Sequence, residues 1–194
     1  MNDIEVYDED WMERIKECYQ DLKDDIEFLY PNNSTETFLS VIWNASISAF
    51  DIAREVQVLI DADDELYISV GTPGFVSFAN QEGQLPGMKL PIKCWVHTHP
   101  FGTAFWSGTD WKSLKTWKPV LKSAIVLGDN EYLAYDIETE VAKKVYYGTM
   151  SPPESIVEFK SEEAENVVRS TVDEWDNPYT YEEAKGILNG DEEE

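Results

Sequence analysis

Basic residues are scarce in this chain: 15 Lys and Arg stand against 39 Asp and Glu among 194 residues, a formal charge of −24. Binding to nucleic-acid phosphates and docking on anionic lipid both rest on Lys and Arg, so the composition argues against either partner. Histidine is scarcer still, with His97 and His99 alone. That excludes a His-Glu-x-x-His protease, and it leaves cupin-type and zinc-deaminase sites without their third histidine or Cys-x-x-Cys element. The two cysteines, Cys18 and Cys94, are too few and too far apart for a disulfide framework or a Cys-x-x-Cys metal pair; reduced, intracellular thiols are the simpler expectation. No apolar run approaches the ~18 residues needed to span a bilayer. The N-terminus is acidic from Asp3 onward, without the basic and apolar regions of a signal peptide. A soluble protein of cytoplasmic type is expected.

What is abundant is aromatic: 7 Trp, 10 Tyr and 8 Phe within an apolar fraction of 42 %, enough for a packed core. The length suits one domain with short extensions. The acidity is uneven. Residues 1–36 carry 12 acids and 3 bases, residues 152–194 carry 14 and 3, and the stretch 37–151 carries 13 and 9. A nearly balanced middle thus lies between two acidic flanks. The expected division is an acidic N-terminal helix extension over 1–34, a core over 35–150 and an acidic C-terminal helical extension over 151–194. The flanks could steer a basic substrate or simply confer solubility.

Periodicity supplies the elements. Residues 8–29 place Trp11, Ile15, Cys18 or Tyr19, Leu22, Ile26 and Leu29 on one face at spacings of three and four, an amphipathic helix. A second helix is expected over about 35–53, capped by Asn33 or Ser34. Alternation at 55–60 and 66–70 around a turn at 61–64 reads as a hairpin, and 75–78 as a further strand. The Gly, Pro and Gln content of 81–90 predicts a loop. A short strand at 92–96 runs into His97, a helix follows Asp110, strands are expected at 124–127, 132–135 and 141–147, and a last helix near 154–174. This is a mixed α and β domain of the α+β kind, with a mostly antiparallel or mixed sheet flanked by helices.

The chemistry concentrates on the two histidines. At i and i+2 of a strand both imidazoles project from the same face and could meet one metal ion. Imidazole suits zinc, and catalytic zinc usually takes three protein ligands. Asp110 is the nearest carboxylate after the pair, though Asp at a helix start is also a common cap.

The block His97-Thr98-His99-Pro100, with seven residues from Pro100 to Trp106 and then Ser107-Gly108-Thr109-Asp110, resembles the motif of the JAMM (MPN+) metalloproteases. The match holds at every fixed position and in its spacing, and the resemblance covers roughly residues 50–136. It implies a cytidine-deaminase-like core and a single Zn2+ held by His97, His99 and Asp110, with water as fourth ligand. It also implies Ser107 beside the metal, hydrogen-bonding the tetrahedral intermediate or orienting the water. The family's general base is a glutamate at the start of a strand after the first core helix, which makes Glu55 the candidate here. Relatives usually show a Gly-Leu element next, where this chain has Val56-Gln57-Val58. Glu65 and Glu82 are the fallbacks.

The implied activity is that of a zinc isopeptidase or peptidase acting at the C-terminal tail of a ubiquitin-like or sulfur-carrier-like protein, the tail held extended beside a strand, with 81–90 contributing a lid. Trp106 and Trp111 bracket Ser107 and Asp110 and could wall the substrate groove, although packing is the commoner use of Trp. Lys112, Lys115, Lys118 and Lys122 form a small basic stripe, either a solvated helix face or a receiver for an acidic patch. Two readings compete: a catalytically silent MPN-type scaffold, and a two-histidine, one-carboxylate Fe(II) enzyme.

Overall fold

A computed structural model describes residues 4–71, 87–146 and 156–160. Within them lie three helices and seven strands: α1 (Trp11–Leu22), α2 (Asn33–Ser48), β1 (Val56–Ile60), β2 (Leu66–Val70), β3 (Cys94–Thr98), α3 (Gly108–Trp117), β4 (Ser123–Gly128), β5 (Glu131–Asp136), β6 (Val141–Tyr146) and β7 (Ile156–Lys160). The strands form one sheet in the order β2-β1-β3-β4-β5-β6-β7. Only the β3–β4 pair is parallel, and α3 is its crossover. The expected mixed sheet flanked by helices is what forms.

Side-chain alternation sorts the sheet into two faces. Val56, Val58, Ile60, Cys94, Val96, Ile125 and Leu127 meet Trp11, Ile15 and Tyr19 of α1 and Phe38, Leu39 and Ile42 of α2 in one core. Leu59, Trp95, Ala124, Val126 and Leu133 face the other way, against Trp106 and against Trp111 and Leu114 of α3. The central strands β1, β3 and β4 are buried at every residue, which is why β3 and β4 read as short apolar runs; in β1 the polar member of the alternation, Gln57, is buried as well.

Several boundaries differ from the sequence expectation, each for a local reason. Helix α1 stops at Leu22 rather than running to 29. Its last turn holds no basic residue, and Asp21, Asp24 and Asp25 place negative charge at the negative end of the helix dipole. Helix α2 starts at Asn33 because Asn32 is the cap, its side chain accepting the Thr35 N–H at 3.0 Å. It ends at Ser48, five residues early. There Arg54 N–H returns to the Ser46 carbonyl and turns the chain into β1. Strand β3 extends through Thr98, so His97 lies inside it rather than after it, because β4 pairs with it as far as Thr98↔Leu127.

The last expected helix is corrected in part. Residues Ile156–Lys160 are a strand paired antiparallel with β6, in keeping with the β-branched and aromatic residues of Ile-Val-Glu-Phe-Lys. The rest of that helix lies outside the described residues, as do the strand at 75–78 and most of the loop at 81–90. Helix α1 packs into the main core through its apolar face. Trp11, Ile15 and Tyr19 are buried in the common core, and the Tyr19 hydroxyl donates to Asp64 in the β1–β2 turn at 2.6 Å. None of the described helices is long and apolar enough to cross a membrane. Cys18 and Cys94 are both free thiols.

Candidate metal centre

The site forms where β3 ends and α3 begins. His97 projects to the α3 face together with Trp95, two residues before it. His99 follows the strand, its backbone N–H donating to the Leu127 carbonyl at 2.7 Å and so extending the β3–β4 ladder past Thr98. Both rings are held by aromatic neighbours. His97 stacks on Trp95 with centroids 4.5 Å apart and planes 15° apart, and Trp106 closes its other surroundings at 5.6 Å. His99 packs on Phe105 at 4.5 Å.

The loop between His99 and α3 must double back to bring a carboxylate over these rings, and three contacts make it do so. Gly102 accepts the Asp129 N–H at 2.9 Å. Ala104 donates its N–H to the buried Glu131 at 2.9 Å. Gly128 lets the loop backbone lie directly on the end of β4, where a Cβ would come within 2.2 Å of the Ala104 nitrogen. The loop then enters α3 through a capping box: Ser107 Oγ accepts the Asp110 N–H at 3.2 Å, and Asp110 Oδ2 accepts the Ser107 N–H at 2.8 Å. Asp110 is therefore both a helix-start residue and a member of the cluster; the two readings of it do not compete.

The same Asp110 Oδ2 lies 3.2 Å from His97 Nε2 and 3.3 Å from His99 Nε2. All three residues are buried, and their ligand atoms lie within 4.8 Å of one another. Four ligands held about 2.0–2.1 Å from a tetrahedral zinc are about 3.3–3.4 Å from each other, so these separations suit an ion at their centre. Burial alone would raise the Asp110 carboxyl, but attraction to His97 and hydrogen bonding to both rings outweigh it and hold the group well below the usual carboxylate range. A buried carboxylate facing two ring nitrogens is a donor set for a metal cation. The set is compatible with zinc and with other first-row divalent metals.

Glu55 immediately precedes β1 and is 5 % exposed. Gln57 pairs with His97 in the β1–β3 register, and continuing that register by two residues puts Glu55 across from His99, on the α3 face. Its backbone is pinned on both sides. The Val56 N–H donates to Thr98 Oγ1 at 2.9 Å, Thr98 Oγ1 and Ser46 Oγ are 2.8 Å apart, and Ser46 Oγ donates to the Arg54 carbonyl at 2.5 Å. Ser46 has one proton and gives it to Arg54, so Thr98 must donate to Ser46. The Gly71 N–H adds a bond to the Glu55 carbonyl at 2.9 Å. Thr98, the residue between the two histidines, thus faces the opposite core and fixes the segment that carries Glu55.

The fallback Glu65 is exposed in the β1–β2 turn, beyond the Ile60↔Leu66 pair and so at the far end of β1 from His97; it is not part of this cluster. Glu82 lies outside the described residues. Trp106 and Trp111 are 0 % and 8 % exposed. They support the site from beneath, Trp106 against His97 and Trp111 on the buried side of α3, rather than walling it toward solvent. The lysines at 112, 115, 118 and 122 are exposed; Lys118 pairs with Glu140 at 3.5 Å and Lys115 lies over the Trp111 ring at 5.7 Å. They form a solvated face. Sequence reasoning missed the structural part of Thr98 and the buried amide of Gln57. The signal for both was present, since Gln57 is the one polar residue of β1 and Thr98 lies between the two histidines.

Comparison with protein-family models, with curated proteins and with solved structures finds no match to this chain. The case for function rests on the site itself.

Proposed function

We propose that the protein is a metal-dependent peptidase of the JAMM type, with zinc as its ion and a cytidine-deaminase-like core. The reaction is hydrolysis of an amide bond at the C-terminal tail of a ubiquitin-like or sulfur-carrier-like protein. The observation that carries the reading is the buried convergence of His97 Nε2, His99 Nε2 and Asp110 Oδ2, in the order and spacing of the motif the sequence resembles.

A zinc ion bound there would act as a Lewis acid toward the scissile carbonyl and lower the pKa of water to about 7. The remaining tasks fall to the chain. His97, His99 and Asp110 hold the ion, and the Ser107 N–H orients the Asp110 carboxylate. Glu55 accepts a proton from the attacking water as its oxygen bonds to the carbonyl carbon. It then returns that proton to the leaving amine as the C–N bond breaks. Ser107 Oγ already accepts the Asp110 N–H, which leaves its own O–H to donate to the developing oxyanion. The aromatic packing around the histidines keeps the ligand geometry fixed.

Metal analysis of protein purified without added metal, combined with a cleavage assay on ubiquitin-like conjugates, tests this. Wild type should carry one zinc per chain and cleave. Glu55→Gln should keep the zinc and lose cleavage by at least about 100-fold, the lower end of general acid–base contributions. Stoichiometric iron would turn the reading to the oxygenase-like alternative, and zinc without cleavage in the wild type to the scaffold.

A further inference from the structure

Gln57 is fully buried in the middle of the sheet, and neither its Oε1 nor its Nε2 has a hydrogen-bond partner among the described residues. Buried amides are normally satisfied, so one without a partner asks for an explanation. Its position supplies one. Gln57 is the direct register partner of His97 across the β1–β3 ladder, and directly opposed residues project from the same face with Cβ atoms about 4.5–5.5 Å apart. The His97 Nδ1 atom is also buried and without a partner.

The needs of the two groups are complementary. His97 turns Nε2 toward Asp110, so a ligating ring carries its proton on Nδ1. Ligating histidines almost always give that proton to a carboxylate, a carbonyl or a water, which fixes tautomer and ring plane. The aromatic neighbours of His97 cannot take it, because Trp95 and Trp106 offer indole N–H groups that only donate. Gln57 Oε1 is an acceptor on the residue facing the ring. Gln57 also stands in the stretch where the resemblance would put a Gly-Leu element, so this amide is a feature of the chain and not of the motif.

We propose that Gln57 is a positioning residue of the metal centre: its side-chain carbonyl accepts the His97 Nδ1–H, directly or through one bridging water, and so presents Nε2 to the ion. The inference rests on the metal-site reading above, and the experiment separates the two.

The full-length chain is prepared as wild type, Gln57→Met and Gln57→Glu. Zinc affinity is measured by chelator competition and urea midpoints are measured on metal-free protein. The histidine ring spectra are recorded by 15N NMR on zinc-loaded protein; with two histidines in the chain these are simple to assign. Gln57→Met is expected to bind zinc 10–100-fold more weakly, with an unchanged or raised metal-free midpoint because it replaces a buried amide by an apolar chain of similar size. Gln57→Glu is expected to restore the affinity while lowering the metal-free midpoint. A purely structural Gln57 gives the opposite order, with Met harmless to both quantities and Glu harmful to both. The wild-type ring spectrum should show a slowly exchanging His97 Nδ1–H that exchanges faster in Gln57→Met, a readout independent of whether Gln57→Glu folds. Wild-type zinc affinity and an unchanged Nδ1–H in Gln57→Met would overturn the role of Gln57 and leave the metal site standing. A wild type that binds no zinc would overturn both.

Discussion

Replacing Thr98 by Val tests whether the residue between the two histidines fixes the segment bearing Glu55. The exchange keeps the shape and removes one oxygen. In the wild type that oxygen accepts the Val56 N–H at 2.9 Å and bonds Ser46 Oγ at 2.8 Å, with Thr98, Val56 and Ser46 all fully buried. Without it, a buried backbone N–H loses its partner where water cannot replace it. Leaving one such group unsatisfied costs about 1–3 kcal/mol. In a protein of this length that lowers the melting temperature by roughly 2–12 °C. Ser46→Ala removes the other end of the relay and frees the Arg54 carbonyl. Because the two side chains share one chain of hydrogen bonds, the double variant should lose less than the two single losses combined, with a coupling of about 0.5 kcal/mol or more.

The functional consequence is selective. His97, His99 and Asp110 keep their own supports, so Thr98→Val should bind zinc as the wild type does while its cleavage rate falls, because residues 54–56 no longer hold Glu55 at a fixed height. Urea unfolding followed by tryptophan fluorescence, native-state exchange of the Val56 amide, and zinc affinity and cleavage measured side by side make the assay. A Thr98→Val protein within about 0.5 kcal/mol of wild type, the usual range of an inconsequential substitution, would refute the relay. So would additive losses in the double variant.

Gly128→Ala places a methyl where 2.2 Å separates it from the Ala104 nitrogen. Overpacking of this kind costs about 1–3 kcal/mol. Zinc affinity should fall as well, since the displaced loop carries Asp110, although no ligand is altered; chelator competition measures it. Cys94 is buried, and that burial pushes its thiol up to about 12. It should resist alkylation in native protein at neutral pH and react only on unfolding, as peptide mapping after iodoacetamide would show. The sign of its pH effect follows: between 9.0 and about 12 the unfolded thiol ionises while the folded one stays protonated, so this group draws stability away as pH rises through that window. A urea midpoint series from pH 8 to 10.5, wild type against Cys94→Ala, reads the difference.

How much of this was legible in the sequence depends on which link is asked about. The convergence of His97, His99 and Asp110 and the capping role of Ser107 were legible because the spacing of these residue types has a mechanical reason. His97 and His99 need one strand parity, and Ser107 and Asp110 need one turn of helix. Strands β3 and β4 were legible as apolar runs, and β1 and β2 as alternations. Boundaries were less so, because they depend on partners distant in sequence. Strand β3 reaches Thr98 only because Leu127 is there to pair with it, and Ile156–Lys160 is a strand only because β6 offers an edge. A helical reading of 154–174 uses spacing alone and has no means of seeing that edge.

The charge partition of the sequence looked like a neutral catalytic body with acidic additions, and the structure changes what that partition means. The acidic N-terminal stretch contributes Trp11, Ile15 and Tyr19 to the same core that backs β1 and β3, and Tyr19 and Lys93 meet on Asp64 at 2.6 Å each. Strand β7 belongs to the acidic C-terminal stretch and completes the sheet. In α1 the acids Glu13 and Glu17 are exposed while Trp11, Ile15 and Tyr19 build the core, as an amphipathic helix requires. The route from this to the metal site is short. The core that α1 and α2 form presses on β1 and β3 from one side, and the Ser46–Thr98–Val56 relay is built into that contact. On the other side of the same two strands stand Glu55, Gln57, His97 and His99. A substitution that loosens α2 against the sheet should therefore reach Glu55 before it reaches the His97–His99–Asp110 cluster, because Glu55 is anchored through α2 and Asp110 through α3.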